Sequence, residues 1–109
     1  MHAVLITFAS AVGLPALEAP FTEYARALGD VPGLVSKTWL VDDSTLGGFH
    51  LFESAAAAEA YLEGPLLASV RANPAFSHFA VTHYGVVEPL SAMTNGLGAP
   101  LVDAAGSDR

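Results

Sequence analysis

A chain of 109 residues is the size of one domain with one core, and its 52% hydrophobic and 14% charged content excludes a disordered polypeptide. Four basic against eleven acidic side chains give a net charge of −7, which excludes nucleic-acid phosphate and anionic membrane surfaces as partners. The lack of cysteine removes disulfides, iron–sulfur clusters, thiolate zinc sites and cysteine nucleophiles.

Met1 to Phe8 has no basic, then long apolar, leader pattern, and the apolar runs stop short of the roughly 18 residues of a membrane span, so a cytoplasmic protein is expected. Ala3 to Ala9 reads as the first strand, with Val4, Ile6 and Phe8 on one face and Leu5 and Thr7 on the other. A helix is expected to open near Pro20 and to place Phe21, Tyr24, Ala25 and Leu28 on one stripe before Gly29. Pro32-Gly33 turns the chain into a second strand, Leu34 to Val41, where Lys37 and Trp39 share one face and Ser36 and Thr38 the other. After the loop at Asp42-Asp43-Ser44, Gly47 to Glu53 forms a third strand, in an antiparallel hairpin with the second.

Ser54 caps an alanine-rich helix, Ala55 to Glu63, with Ala58, Tyr61 and Leu62 facing inward. Gly64-Pro65 breaks it, Leu66 to Ala72 forms a second short helix, and Asn73-Pro74 ends that in turn. Phe76 to Val87 reads as the last strand, leaving the sheet at Glu88-Pro89. The order strand, helix, strand, strand, helix, strand is the ferredoxin-like βαββαβ arrangement: an α+β domain with a four-stranded antiparallel sheet. Residues 1–96 make that single domain and residues 97–109 a flexible tail. Helices cover one sheet face only, and with so few charges the other is left apolar, so a second copy is expected to cover it as a homodimer, with Glu88 to Thr94 crossing onto the partner.

The segments PGLVSKTWLVD, GGFHLFES, AYLEGP and VVEPLSAMTNG, which span most of Pro32 to Gly96, resemble the YdhR-like monooxygenases. That resemblance implies a dimeric α+β barrel related to the antibiotic-biosynthesis monooxygenases, some of which use molecular oxygen without metal, haem or flavin. No cofactor is therefore expected.

The residues suggest where chemistry would sit. Lys37 beside Trp39 could hold an aromatic molecule or stabilise a developing oxyanion; the plainer reading is a sheet-edge lysine lying over a core or dimer-contact tryptophan. His50, on a glycine-bearing strand, suits acid–base work near neutral pH; the plainer reading is a hydrogen-bonded structural histidine. Trp39 and Phe52 are expected to wall an apolar pocket, with Tyr24, Tyr61 and Tyr84 able to donate hydroxyls into it. His78 and His83 fall on opposite strand faces by parity, and no metal-binding spacing exists, so no metal is expected. Three functions compete on this scaffold: an oxygenase of a small aromatic or polyketide-like molecule, with His50 taking the proton and Lys37 holding the negative oxygen; a cyclase or isomerase of a polyketide-type intermediate; and a non-catalytic small-molecule-binding module.

Overall fold

The computed structural model describes residues 1–98, so the tail expected over 97–109 lies, from 99 onward, outside the described residues. Four strands, β1 (His2–Ser10), β2 (Leu34–Asp42), β3 (Thr45–Phe52) and β4 (Phe76–Gly85), form one antiparallel sheet in the order β2-β3-β1-β4. Between them come a 3-10 turn (Leu14–Leu17) with α1 (Glu18–Leu28), then α2 (Ala55–Leu62) and α3 (Pro65–Arg71); α4 (Glu88–Met93) follows β4. This is the ferredoxin-like α+β fold.

Local chemistry explains the element ends. The Ser54 hydroxyl accepts from the Ala57 N–H at 3.1 Å and so caps α2. Gly64 and Pro65 then end α2 and restart the chain as α3, because proline at the first helical position forfeits only an N–H that had no partner anyway. Proline near a helix start also accounts for a difference from expectation: α1 begins at Glu18, two residues before Pro20. Ala25, expected on the inner stripe, is exposed; Phe21, Tyr24 and Leu28 carry that stripe instead.

The pleat sorts the side chains into two faces. On the helix side, the cross-strand rows are Lys37–His50–Val4–His83 and Trp39–Gly48–Ile6–Val81. Val4, Ile6, Leu28, Phe52, Ala58, Tyr61 and Leu67 make one buried cluster there, and Phe8, Leu17, Leu46 and Phe76 a second. The opposite face carries the rows Ser36–Leu51–Ala3–Tyr84 and Thr38–Phe49–Leu5–Thr82. Among the described residues no helix covers its middle, where Phe49 is 42% exposed.

Two expectations change at the last strand. β4 stops at Gly85 rather than Val87, and Glu88-Pro89 opens a short helix, α4, within the segment expected to cross onto a partner. The N-terminal ammonium lies 2.5 Å from a Glu88 carboxylate oxygen, tying α4 to its own chain. The second change is a bulge: Thr7 pairs with Ala80 but Ala9 with Ser77, and His78 takes a φ of 59°. Strict alternation fails there, so Phe76 and Phe79 both reach Phe8, at ring separations of 4.7 and 5.0 Å.

Candidate functional site

A cavity of about 120 Å³ lies between the sheet and α1, lined by Ile6 and Phe8 of β1, Lys37 and Trp39 of β2, Gly48 and His50 of β3, Phe21 and Tyr24 of α1, and Tyr61 of α2. Leu14 and Val41, also lining it, are 43% and 57% exposed and mark its mouth. An engineered apolar cavity of about 150 Å³ holds benzene, so at about 120 Å³ this one is somewhat smaller than a one-ring site, and a ring bound here would extend into the mouth. A wider groove, about 720 Å³, runs between α1 and α2. It is open, lined in part by Ala27, Ala56, Ala57 and Ala60, and sets no base beside a cation.

Gly48 shapes the floor. A Cβ at that position would stand 2.5 Å from Lys37 Cε and 3.0 Å from His50 Cε1, so the missing side chain is the space into which Lys37 bends. The next glycine, Gly47, serves a different need: a Cβ there would overlap the Ile6 carbonyl oxygen of β1.

His50 is 1% exposed, and its Nδ1 lies 3.2 Å from the Val4 carbonyl oxygen. A carbonyl only accepts, so Nδ1 carries the proton and Nε2 presents a lone pair. Nε2 is buried and has no hydrogen-bond partner among the described residues. Burial pushes the imidazole down to about 4, and the neighbouring Lys37 charge acts in the same direction. Phe52, fully buried, stacks behind the ring at 6.2 Å and fixes its plane.

Lys37 Nζ lies 3.6 Å from the centroid of a Trp39 ring and 5.1 Å from that of Tyr24, a pair of cation–π contacts. Burial lowers its amine to about 8. Across the cavity the Tyr24 and Tyr61 hydroxyls are 2.6 Å apart. Burial raises both phenols, and for Tyr61 the hydrogen bond to Tyr24 adds to the rise, so both stay protonated. Of their two hydroxyl hydrogens one joins the pair and the other is available to a ligand.

The structure therefore brings together five of the residues singled out in the sequence: Lys37, Trp39, His50, Tyr24 and Tyr61. Phe52 does not wall the cavity, because it lies behind His50. Tyr84 is 49% exposed on the opposite sheet face, in the row with Ala3. Phe21, Leu67 and Val70 also line the cavity and were not singled out as binding residues; the helical stripe marked Phe21 as inward-facing without distinguishing pocket from core. His83 hydrogen-bonds His2 at 2.9 Å near the sheet end, and among the described residues no group of three or more histidines and carboxylates could hold a metal.

Solved structures share this fold. SnoaB, a cofactor-independent oxygenase from Streptomyces nogalater, is 21% identical, with a TM-score of 0.61 over 80% of this chain and 94% of its own. A "putative antibiotic biosynthesis monooxygenase" from Deinococcus radiodurans is 13% identical, with a TM-score of 0.63 over 81% and 94%. A protein of unknown function from Nitrosomonas europaea, NE2512, is 24% identical, with a TM-score of 0.60 over 79% and 88%. These similarities show the fold. No curated protein matches the chain. The family model described as "Putative mono-oxygenase ydhR" matches residues 5–97, from β1 through α4 and including all of the cavity-lining residues, and the chain therefore belongs to the ydhR mono-oxygenase family.

Proposed function

We propose that the protein is a cofactor-independent oxygenase of a small enolisable aromatic or polyketide-like molecule, working as a cytoplasmic homodimer. The observation that carries this reading is the unpartnered Nε2 of buried His50, set beside the Lys37 ammonium in an apolar cavity of about 120 Å³.

The chemistry follows from that pairing. A phenol or enol enters the cavity with its reacting ring against the wall that Trp39 helps to form, and its hydroxyl proton passes to His50 Nε2. In the empty cavity an imidazole near 4 is a weak base. The negative oxygen formed beside it raises the imidazole back toward neutrality, since opposite charges at short range in a dry site stabilise each other. Lys37 holds the oxyanion from the other side, and the free Tyr24 or Tyr61 hydroxyl hydrogen supplies a second donor. The electron-rich anion then reduces oxygen directly. One oxygen atom enters the product as a carbonyl and the other leaves as water, so the substrate supplies all the electrons.

The test is oxygen uptake with a panel of anthrone- and naphthol-type substrates. The expected result is that wild-type protein consumes oxygen after exhaustive chelation and that His50→Ala and Lys37→Ala each lower turnover by about 10²-fold. Rearranged or cyclised product without oxygen uptake would instead establish the cyclase or isomerase reading.

A further inference from the structure

Lys37 is the single lysine of the chain, and the fold places it, partly buried, on the inner face of β2 where it lines the cavity. No carboxylate among the described residues pairs with it; its near neighbours are the Trp39 and Tyr24 rings. The point where a Gly48 Cβ would sit is 2.5 Å from Lys37 Cε and 3.4 Å from His50 Nε2, so those two atoms are no farther apart than the sum of these lengths. An amine held against aromatic faces, without an anion to keep it charged, beside a neutral imidazole with a vacant lone pair, is the arrangement that carbonyl condensation requires.

We propose that Lys37 is a covalent nucleophile that condenses with the carbonyl carbon of a small apolar ketone or aldehyde to form an imine, with His50 Nε2 as the proton shuttle. The amine lone pair attacks the carbonyl carbon as the carbon–oxygen π pair moves to oxygen. The nitrogen gives one proton to His50 Nε2, which hands it to the oxygen and so completes a neutral carbinolamine. The remaining N–H proton then passes by the same imidazole to the hydroxyl as the nitrogen lone pair forms the carbon–nitrogen double bond and the carbon–oxygen bond breaks, releasing water. The net change is amine plus carbonyl to imine plus water, with no change in oxidation state. The iminium form withdraws electrons from the adjacent carbon, so the expected activities are α-proton exchange and loss of carbon dioxide from a β-keto acid.

This chemistry shares the cavity with the oxygenase reaction but uses no oxygen, so its test runs under nitrogen. Wild-type protein is incubated with pentane-2,4-dione, whose lysine adduct is a stable enaminone absorbing in the near ultraviolet, and is then mapped by tryptic mass spectrometry. The expected result is one adduct, of the diketone's mass less one water, on Lys37, with loss of tryptic cleavage before Thr38. The N-terminal amine, ion-paired to Glu88, is the internal control. Labelling of Lys37 exceeds that of the N-terminus at least tenfold and rises with pH through about 8, as the amine loses its proton. Lys37→Arg keeps a cation but gives no adduct, and His50→Ala slows labelling at least tenfold. Labelling of Met1 alone, no labelling, or a Lys37 rate no faster than that of a short lysine peptide overturns the proposal, and the wild-type measurement decides even if a variant fails to fold. Oxygen uptake, measured separately, leaves each reading to stand or fall alone.

Discussion

Lys37 keeps its ammonium partly buried against two aromatic rings, with no carboxylate among the described residues to offset the lost hydration, and its pKa of about 8 reflects that cost. Because the folded value lies below the ordinary 10.5, the unfolded chain binds more protons between about 8 and 10.5, and wild-type stability rises with pH across that window. Lys37→Met removes the charge at similar volume. It should stabilise the protein at neutral pH by about 1–3 kcal/mol, the cation–π contacts offsetting part of the gain, and abolish the rise. Urea titrations of both proteins at neutral and alkaline pH check this, and a less stable Lys37→Met would contradict it. The same two residues set the pH profile of the proposed oxygenase: the neutral imidazole and the ammonium coexist between about 4 and about 8. Turnover should form a plateau there, falling below about 4 as His50 gains its proton and above about 8 as Lys37 loses its own. A rate still climbing above pH 9 would remove the ammonium from the mechanism.

Among the elements, the hairpin of β2 and β3 was the most legible in the sequence. The Pro32-Gly33 turn and the alternation of Lys37 and Trp39 against Ser36 and Thr38 put the lysine on one face, and the antiparallel pairing puts His50 directly across from it. What alternation cannot express is a bulge. His78, at a φ of 59°, slips the parity of β4, and Phe76 and Phe79 end on the same side as a result. Nor did the pattern distinguish Phe52 from Trp39, since both alternate inward and only the stand-off of α1 over β2 decides which one meets open space. α4 escaped notice because six residues opened by Glu88-Pro89 carry too little apolar periodicity to mark a helix. Gly33 provides the test at this scale. Its φ of +80° disfavours any side chain, and a Cβ there would stand 2.5 Å from the Ala57 Cβ of α2. Gly33→Ala should cost about 2–4 kcal/mol by combining backbone strain with overpacking where β2 enters against α2. Chemical denaturation reads it directly, and a loss below about 0.5 kcal/mol would mean that the turn does not set the docking of α2.

At the scale of the whole molecule, the proposed homodimer turns on the part of the outer sheet face that no described helix covers, since Ala3 and Leu51 in its first row are already buried. Its middle rows, Thr38–Phe49–Leu5–Thr82 and Leu40–Gly47–Thr7–Ala80, contain no charged side chain. Phe49 and Leu40 are 42% and 39% exposed, and Tyr84 in the adjoining row is 49% exposed. Soluble monomers rarely present a contiguous apolar patch of this kind, and a stable interface needs roughly 800 Å² from each partner, about what one face of a four-stranded sheet offers. A homodimer formed face to face would cover the patch and leave the cavity, on the opposite side of each sheet, open through its own mouth. The side chain at Phe49 sits centrally in the patch and outside the helix-side core, so Phe49→Lys should leave the protomer folded while placing two like charges near the two-fold axis in a dry contact. Light scattering should show wild type as a dimer at micromolar concentration and Phe49→Lys as a monomer with unchanged far-ultraviolet circular dichroism. If wild type itself is monomeric at that concentration, the face has some other cover and the dimer is wrong. If Phe49→Lys remains dimeric, the copies meet through a different surface, of which the exposed Val87, Leu90 and Met93 at α4 are the next to mutate.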